Sequence, residues 1–293
     1  MTDLMLYVLY VFIAAVCAVI LLFMTEIFLI CGRKRAVPSF FTGLFAHRGL
    51  FSNETPEAPE NSMAAFRRAV DNGFGIELDV HISADGELFV MHDDSLRRMC
   101  GVDGKITSMT ASEIKRHRIL GGAETIPHFS DVLALVCGRV PLIVELKCAP
   151  GVDVSPLCRA VYDMLSSYNG EYCVESFNPY VVSWFRRNAP EVFRGQLAEA
   201  FFTRGGSSQR KKNGFMLLTL ENLWLNVLGR PDFVAYNCLH INTPSYRLWR
   251  HMLHMPAALW TVRSEDMIRT LTGGAAAPAE CDAVIFEGFV PER

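Results

Sequence analysis

Apolar positions divide this chain into two unequal parts. From Leu4 to Thr25 there is no charged residue across 22 positions, and ~20 apolar residues are enough for a helix to cross a bilayer's hydrocarbon core. Beyond residue 43 the pattern changes, and short apolar runs alternate with longer mixed segments. The runs are Leu44–His47, Gly75–Val80, Leu88–His92, Val140–Leu146, Tyr172–Phe177, Gly195–Leu197, Phe233–Tyr236, Ala257–Val262 and Ala283–Phe286. Between them, Ser62–Asp71, Val154–Ser166 and Pro179–Asn188 carry apolar residues at helical spacing. Strands alternating with helices predict an α/β fold with a parallel sheet. About eight such units in ~260 residues fit a (β/α)8 TIM barrel, here preceded by one N-terminal transmembrane helix. There are nine candidate strands for eight places. Ala84-Asp85-Gly86 reads as a tight turn, so Leu88–His92 is the candidate to run antiparallel, outside the barrel count. The expected division is an anchor over residues 1–31, a basic, Pro-containing linker over 32–43, and a barrel domain over 44–293.

Charge refines this picture. Arg33, Lys34 and Arg35 follow the apolar span, and only Asp3 precedes it. Lys and Arg flank the cytoplasmic side of membrane helices, so the expected topology is single-pass, with the catalytic domain facing the cytoplasm. A cleaved signal peptide fits less well, because the n-region has no positive charge and the apolar run exceeds a ~7–15-residue h-region. Residues 33–293 hold all 28 Lys and Arg and all acids but Asp3 and Glu26, a net charge of −1. Nucleic acid is therefore not an expected partner, since its binding needs a basic surface. With 51% hydrophobic and 20% charged residues, disorder is excluded as well. Nine cysteines without a C-x-x-C pair suggest buried thiols in a reducing compartment. The basic stretch Arg204–Gly214 reads as a flexible loop. The apolar Phe215–Leu228 that follows reads either as a core helix or as a helix resting on the bilayer.

Polar residues at the ends of the apolar runs carry the candidate chemistry. His47 and Arg48 end the first run. Glu77 and Asp79 alternate, which puts both carboxylates on one face of a strand. His92 and Asp93 end the third run, and Glu145 and Lys147 share a face at the end of the fourth. Charges inside such strands are costly to bury unpaired. Three converging carboxylates call for a hard divalent cation, Mg²⁺ or Ca²⁺. Two histidines suit acid–base work near neutral pH, and Arg48 offers a planar fork for phosphate. Together they point to metal-assisted phosphoester hydrolysis.

His47-Arg48-Gly49, Pro59-Glu60-Asn61-Ser62 with Ala65-Phe66, Glu77-Leu78-Asp79-Val80, Asp85-Gly86, His92-Asp93 and Glu145-Leu146-Lys147 resemble, in that order, the glycerophosphodiester phosphodiesterase family. Weaker features, Ser176-Phe177 and Trp260-Thr261-Val262, extend the resemblance through the chain after the membrane segment. It implies a TIM barrel like that of the phosphatidylinositol phospholipases, and metal-dependent cleavage of glycerophosphodiesters to glycerol 3-phosphate and an alcohol. By motif, His47 and His92 would be the acid/base pair. Glu77, Asp79 and Glu145 would bind the metal, and Arg48 would hold phosphate. Lys147 would add positive charge at the phosphoryl group, and Glu60 and Asn61 would shape the first loop and touch phosphate or glycerol.

There are departures from the family pattern. The His92–Glu145 interval, about 50 residues, has room only for a short form of the small subdomain that such proteins insert there. Where the family commonly ends its last strand with Thr-Asp, this chain has Phe286-Glu287, and Glu287 is the candidate for the Asp's place. The expected partners are a glycerophosphodiester or lysophospholipid substrate and the bilayer. A lysophospholipase D-like activity is the alternative, with Leu50-Phe51 and Phe215–Leu228 as candidate apolar lips. A non-catalytic barrel module predicts the loss of a histidine or metal carboxylate, and all five are kept. His251 and His254 lack an evident third ligand. His81 and Trp260 are left outside the candidate set.

Overall fold

The computed structural model describes residues 2–31, 35–200, 214, 216–273 and 279–292. Arg204–Asn213 and Phe215, which belong to the predicted basic loop and apolar stretch, lie outside the described residues. A helix spans Thr2–Cys31. Its stretch Leu4–Leu22 is long and apolar enough to cross a membrane and is exposed.

Nine strands follow: β1 (Gly43–His47), β2 (Gly75–Ile82), β3 (Leu88–Val90), β4 (Leu142–Leu146), β5 (Tyr172–Ser176), β6 (Arg194–Ala198), β7 (Phe233–Asn237), β8 (Ala257–Val262) and β9 (Ala283–Phe286). Parallel pairing runs β1-β9-β8-β7-β6-β5-β4-β2, and β2 pairs back to β1 with Ala46 opposite Ile76, closing an eight-stranded TIM barrel. β3 pairs antiparallel with β2, Val80 opposite Val90, and stands outside the barrel. The Ala84–Gly86 turn is too short for the crossover that a parallel partner requires.

The strands are buried on both faces, which is why their sequences are almost continuously apolar. One face fills the barrel with Phe45, Ile143, Cys173, Leu197, Phe233, Ala235, Ala258 and Ile285. The other packs Ile76, Leu78, Val144, Val174, Val234 and Val284 against helix residues such as Phe66, Val161, Leu165 and Phe185. The interior takes bulky rings because glycines face them. A Cβ on Gly75 would come within 2.5 Å of the Phe45 ring, and one on Gly195 within 2.2 Å of the Phe233 ring. Helices Met63–Asp71, Ser155–Ser166 and Pro179–Asn188 occupy the predicted helical intervals. Ser62 caps the first, accepting from the Ala65 amide at 3.1 Å, as an N-cap serine does.

Two additions matter to the site. Residues 93–128 form a short insertion above β3, with a satellite core of Leu96, Met99, Ile106, Ile114, Ile119 and Ile126. The other is the chain before β1, which folds onto the lower end of the barrel, where the strands begin. Phe41 is fully buried there, its ring 4.5 Å from Phe233 and 5.2 Å from Phe193. Of the apolar stretch, the short helix Asn226–Gly229 packs against helix Pro179–Asn188. Arg186 donates to the Leu228 carbonyl at 2.8 Å, while Met216 and Trp224 remain exposed. Leu50 is buried, so it forms no apolar lip.

Candidate active site

The candidate residues meet at the upper end, where the barrel strands finish. β1 stops at His47 because Arg48 (φ 55°) and Gly49 (φ 80°) turn sharply. A Cβ on Gly49 would lie 2.9 Å from the Ala65 backbone, so only glycine lets the turn lie on the next helix. The turn aims the Arg48 amide at Glu77 Oε2, 3.1 Å away.

Glu77, Asp79 and Glu145 are all buried, and each offers an oxygen within 4.8 Å of the others. Lys147 lies among them, its Nζ 2.8 Å from Asp79 Oδ1 and 2.7 Å from Glu145 Oε2. Burial pushes Glu77 well above the usual carboxylate range, and the charges of Asp79, Glu145 and Glu175 push the same way. Glu145 rises to about 7, chiefly through burial, with Lys147 opposing. Burial opposes ionisation of Asp79 too, but Lys147, His92 and Arg48 outweigh it and hold Asp79 well below the usual range. Lys147 is raised above an ordinary lysine because Asp79 and Glu145 outweigh its burial. An all-oxygen set under this much mutual repulsion fits a hard divalent cation. Asn61, with a positive φ of 56°, donates to Asp79 Oδ2 at 2.8 Å and fixes that carboxylate.

Each histidine is gripped by a carboxylate at Nδ1. His47 Nδ1 is 2.5 Å from Glu287 Oε2, and His92 Nδ1 is 2.8 Å from Asp93 Oδ1. Glu287 is held at about 2: burial opposes ionisation, but His47 and Arg263 outweigh it. Asp93 is lowered by Arg98 and His92 against its burial. Both carboxylates are thus ionised and can only accept, so each Nδ1 carries the proton and each Nε2 is left for other work. Burial lowers both histidines below their ordinary value, and the Glu287 hydrogen bond partly offsets this at His47.

Glu60 is buried beneath two arginines. It accepts from Arg48 Nη1 at 2.9 Å and from Arg98 Nη2 at 2.6 Å, and Arg98 Nε reaches Asp93 at 2.5 Å. Glu60 therefore places arginines, including the predicted phosphate ligand, and it links the insertion to the barrel. Arg98 carries no signal in the sequence, since its role depends on where the insertion folds. Glu175 was also missed. It is 2% exposed, opposite Glu145 in the ladder, and its Oε2 has no partner. Burial, then Glu145, pushes it well above the usual range. The period-two pattern of Tyr172–Ser176 was the available signal for it.

A cavity of about 270 Å³ lies over these groups, walled by Phe177, Leu197, Trp260 and Ile285. A second, more apolar groove of about 520 Å³ meets it at Glu145 and Lys147, lined by Cys148, Val152, Leu157 and Phe177. His81 lines this groove rather than the first cavity, its Nε2 3.2 Å from the His92 carbonyl. His251 pairs with Glu280 at 3.0 Å, and among the described residues the only ligand-like cluster is the acidic triad.

The profile of the glycerophosphoryl diester phosphodiesterase family matches residues 47–284. A glycerophosphodiester phosphodiesterase of Bacillus altitudinis is 40% identical over 161 residues, which are 52% of this chain and 64% of the relative. The human glycerophosphodiester phosphodiesterase 1 is 38% identical over 157 residues, 50% of this chain and 46% of the relative. The chain thus spans about half to two thirds of the curated relatives it matches. An Oleispira antarctica phosphodiesterase, solved with sn-glycerol-3-phosphate, superposes with a TM-score of 0.64 at 22% identity, covering 85% of this chain and 94% of that one. A Thermotoga maritima glycerophosphodiester phosphodiesterase superposes at 0.60 with 21% identity, covering 86% and 96%. At such identities the structural likeness is one of fold.

Proposed function

Since the chain belongs to the glycerophosphoryl diester phosphodiesterase family, we propose that it hydrolyses glycerophosphodiesters to glycerol 3-phosphate and an alcohol, as a phosphoric diester hydrolase. The observation that supports this reading is that two carboxylate-held histidines line one cavity together with Glu77 and Glu145 of a buried acidic triad. Glu77, Asp79 and Glu145 would hold the divalent cation, Mg²⁺ or Ca²⁺. When bound, it supplies charge stabilisation at the phosphate oxygens. Arg48, fixed by Glu60, would hold the phosphate in a bidentate grip. Lys147 adds a second positive charge, and Asn61 holds Asp79. One histidine, neutral, takes the proton of the attacking group at Nε2, and the other, as the imidazolium with protons on both nitrogens, delivers its Nε2 proton to the leaving alcohol. Glu287 and Asp93 hold the Nδ1 proton of each ring, so that in both it is Nε2 that exchanges protons.

In this reading residues 1–31 anchor the protein in a membrane by a single pass, 32–43 are the linker and 44–293 the catalytic barrel, facing the cytoplasm. The apolar run and the basic residues after it support that topology. A second reading, lysophospholipid cleavage, is favoured by one observation: the apolar groove that opens into the site beside Lys147.

The test is product analysis. The full chain is incubated with glycerophosphocholine or lysophosphatidylcholine, under Mg²⁺, Ca²⁺ or chelator. Metal-dependent glycerol 3-phosphate release is expected, and it should be lost in His47→Ala and His92→Ala. Lysophosphatidic acid as sole product would move the assignment to the second reading, and no product under either cation would overturn both.

A further inference from the structure

The two ends of the barrel have opposite connections. The upper end carries the chemistry: His47, Glu145 and Glu175 sit at or next to the last residues of β1, β4 and β5, and Glu287 follows β9. The lower end receives the chain from the N-terminal helix. Arg35 comes four residues after the end of that helix, and it is pinned. Its guanidinium donates to the carbonyls of Glu191 (2.9 Å) and Val192 (3.3 Å), and to Asp232 at 3.4 Å. Glu191 and Val192 lead into β6 and Asp232 leads into β7, so all three mark strand starts. Phe41 seals the interior a few residues on. Four residues reach at most ~14 Å, so the helix leaves from the lower end. It also packs against Asn226–Gly229, which stands just before β7.

We infer that the lower end of the barrel faces the bilayer and that the catalytic mouth opens away from it, onto the aqueous phase. The inference rests on the membrane-spanning reading of Leu4–Leu22. Arg33 and Lys34 stand between helix and barrel in the sequence, where anionic headgroups attract basic side chains. A five-residue strand such as β4 rises ~16 Å, about 13 Å along a barrel axis at the usual ~36° tilt. The reacting phosphate therefore sits farther from the lipid than Arg35 by at least that height. A lipid lying in the bilayer cannot place its phosphate at the mouth. The substrate is drawn from solution: a water-soluble glycerophosphodiester, or a lysophospholipid only after it has left the membrane. Anchoring thus fixes where the enzyme works without making the bilayer its substrate.

Helix Ser155–Ser166 provides the ruler. Its 12 residues span about 18 Å. Exposed Val152 lies at its upper end, after β4, and exposed Asn169 at its lower end, before β5. The full chain, with a fluorescent amino acid at position 152 or 169, is reconstituted into phosphatidylcholine–phosphatidylserine vesicles bearing a headgroup acceptor. Energy transfer from position 169 is expected to be at least twofold greater than from 152. Equal or reversed transfer overturns the orientation, and so does failure to float with the vesicles. Vesicles of the same composition holding the full chain without the label are assayed with glycerophosphocholine in solution and with lysophosphatidylcholine held in the bilayer. Turnover of the first and at least tenfold slower turnover of the second are expected, while comparable rates overturn the inference. If transfer shows the expected asymmetry but the reconstituted protein turns over neither substrate, the proposed function fails and the orientation stands.

Discussion

Replacing Glu287 by Gln should cripple catalysis while leaving the fold intact. Glu287 spends one oxygen on His47 Nδ1, at 2.5 Å, and the other on Arg263, whose Nε donates at 2.9 Å. In Glu287→Gln the amide oxygen stays with the arginine donors. The amide NH₂ then faces His47 Nδ1 and must donate to it, which moves the ring proton to Nε2. A proton-accepting Nε2 becomes a proton-bearing one. The equivalent change in a serine-protease triad costs about 10⁴ in turnover. Glu287 is 16% exposed, so a water can share its role, and a loss on the order of 10²–10³ in kcat is expected from that precedent, with KM within about threefold. The pH profile gives a second readout. Burial lowers the His47 pKa and Glu287 counteracts it. Without the carboxylate, His47 falls further, so its limb in kcat/KM moves to lower pH whichever proton it transfers. Release of choline from glycerophosphocholine, followed from pH 5 to 9, measures both effects. Activity within threefold of wild type, with unmoved limbs, would refute the assignment of Glu287 as the residue that positions His47.

Metal binding should appear as pH-dependent stability. Glu145 is raised to about 7, and Glu77 and Glu175 are also raised by burial. At these three carboxylates the folded state holds more protons than the unfolded one above about pH 4.5, so without metal the stability they lend is lost as pH rises through about 7. Mg²⁺ or Ca²⁺ at 100 times Kd adds about 2.7 kcal/mol, roughly 5–10 °C in Tm for a domain of this size. The gain should grow from pH 5 to pH 8; an identical Tm with either cation and with chelator at pH 8 would count against the site. Phe41→Ala should destabilise the barrel by about 3–5 kcal/mol, because it empties a fully buried position between two rings. Urea denaturation showing a loss below 1 kcal/mol would mean that the segment before β1 does not seal the lower end.

The barrel, its helices and most of its chemistry were legible in one dimension. Strand faces follow from a period of two, so Glu77 with Asp79, and Glu145 with Lys147, could be read as shared faces before any fold was known. The odd ninth strand was legible for a similar reason, because the Ala84–Gly86 turn is purely local. Glu287 was visible only as a candidate replacement. Its contact with His47 spans 240 positions, and it exists only because β9 closes the barrel against β1.

What the sequence settled, then, are the properties that neighbouring residues fix among themselves: element type, strand face, and the residue types gathered at strand ends. Only the tertiary structure decided the rest. It gave Glu60 two arginines as partners, brought Arg98 from the insertion to Asp93, and put Glu175 beside the acidic triad. It also set the entry of the N-terminal segment, at Arg35, and the candidate site at opposite ends of the barrel. Those outcomes depend on which surfaces meet when a sheet closes and a segment docks, and the residues involved lie tens to hundreds of positions apart, beyond the reach of any local pattern.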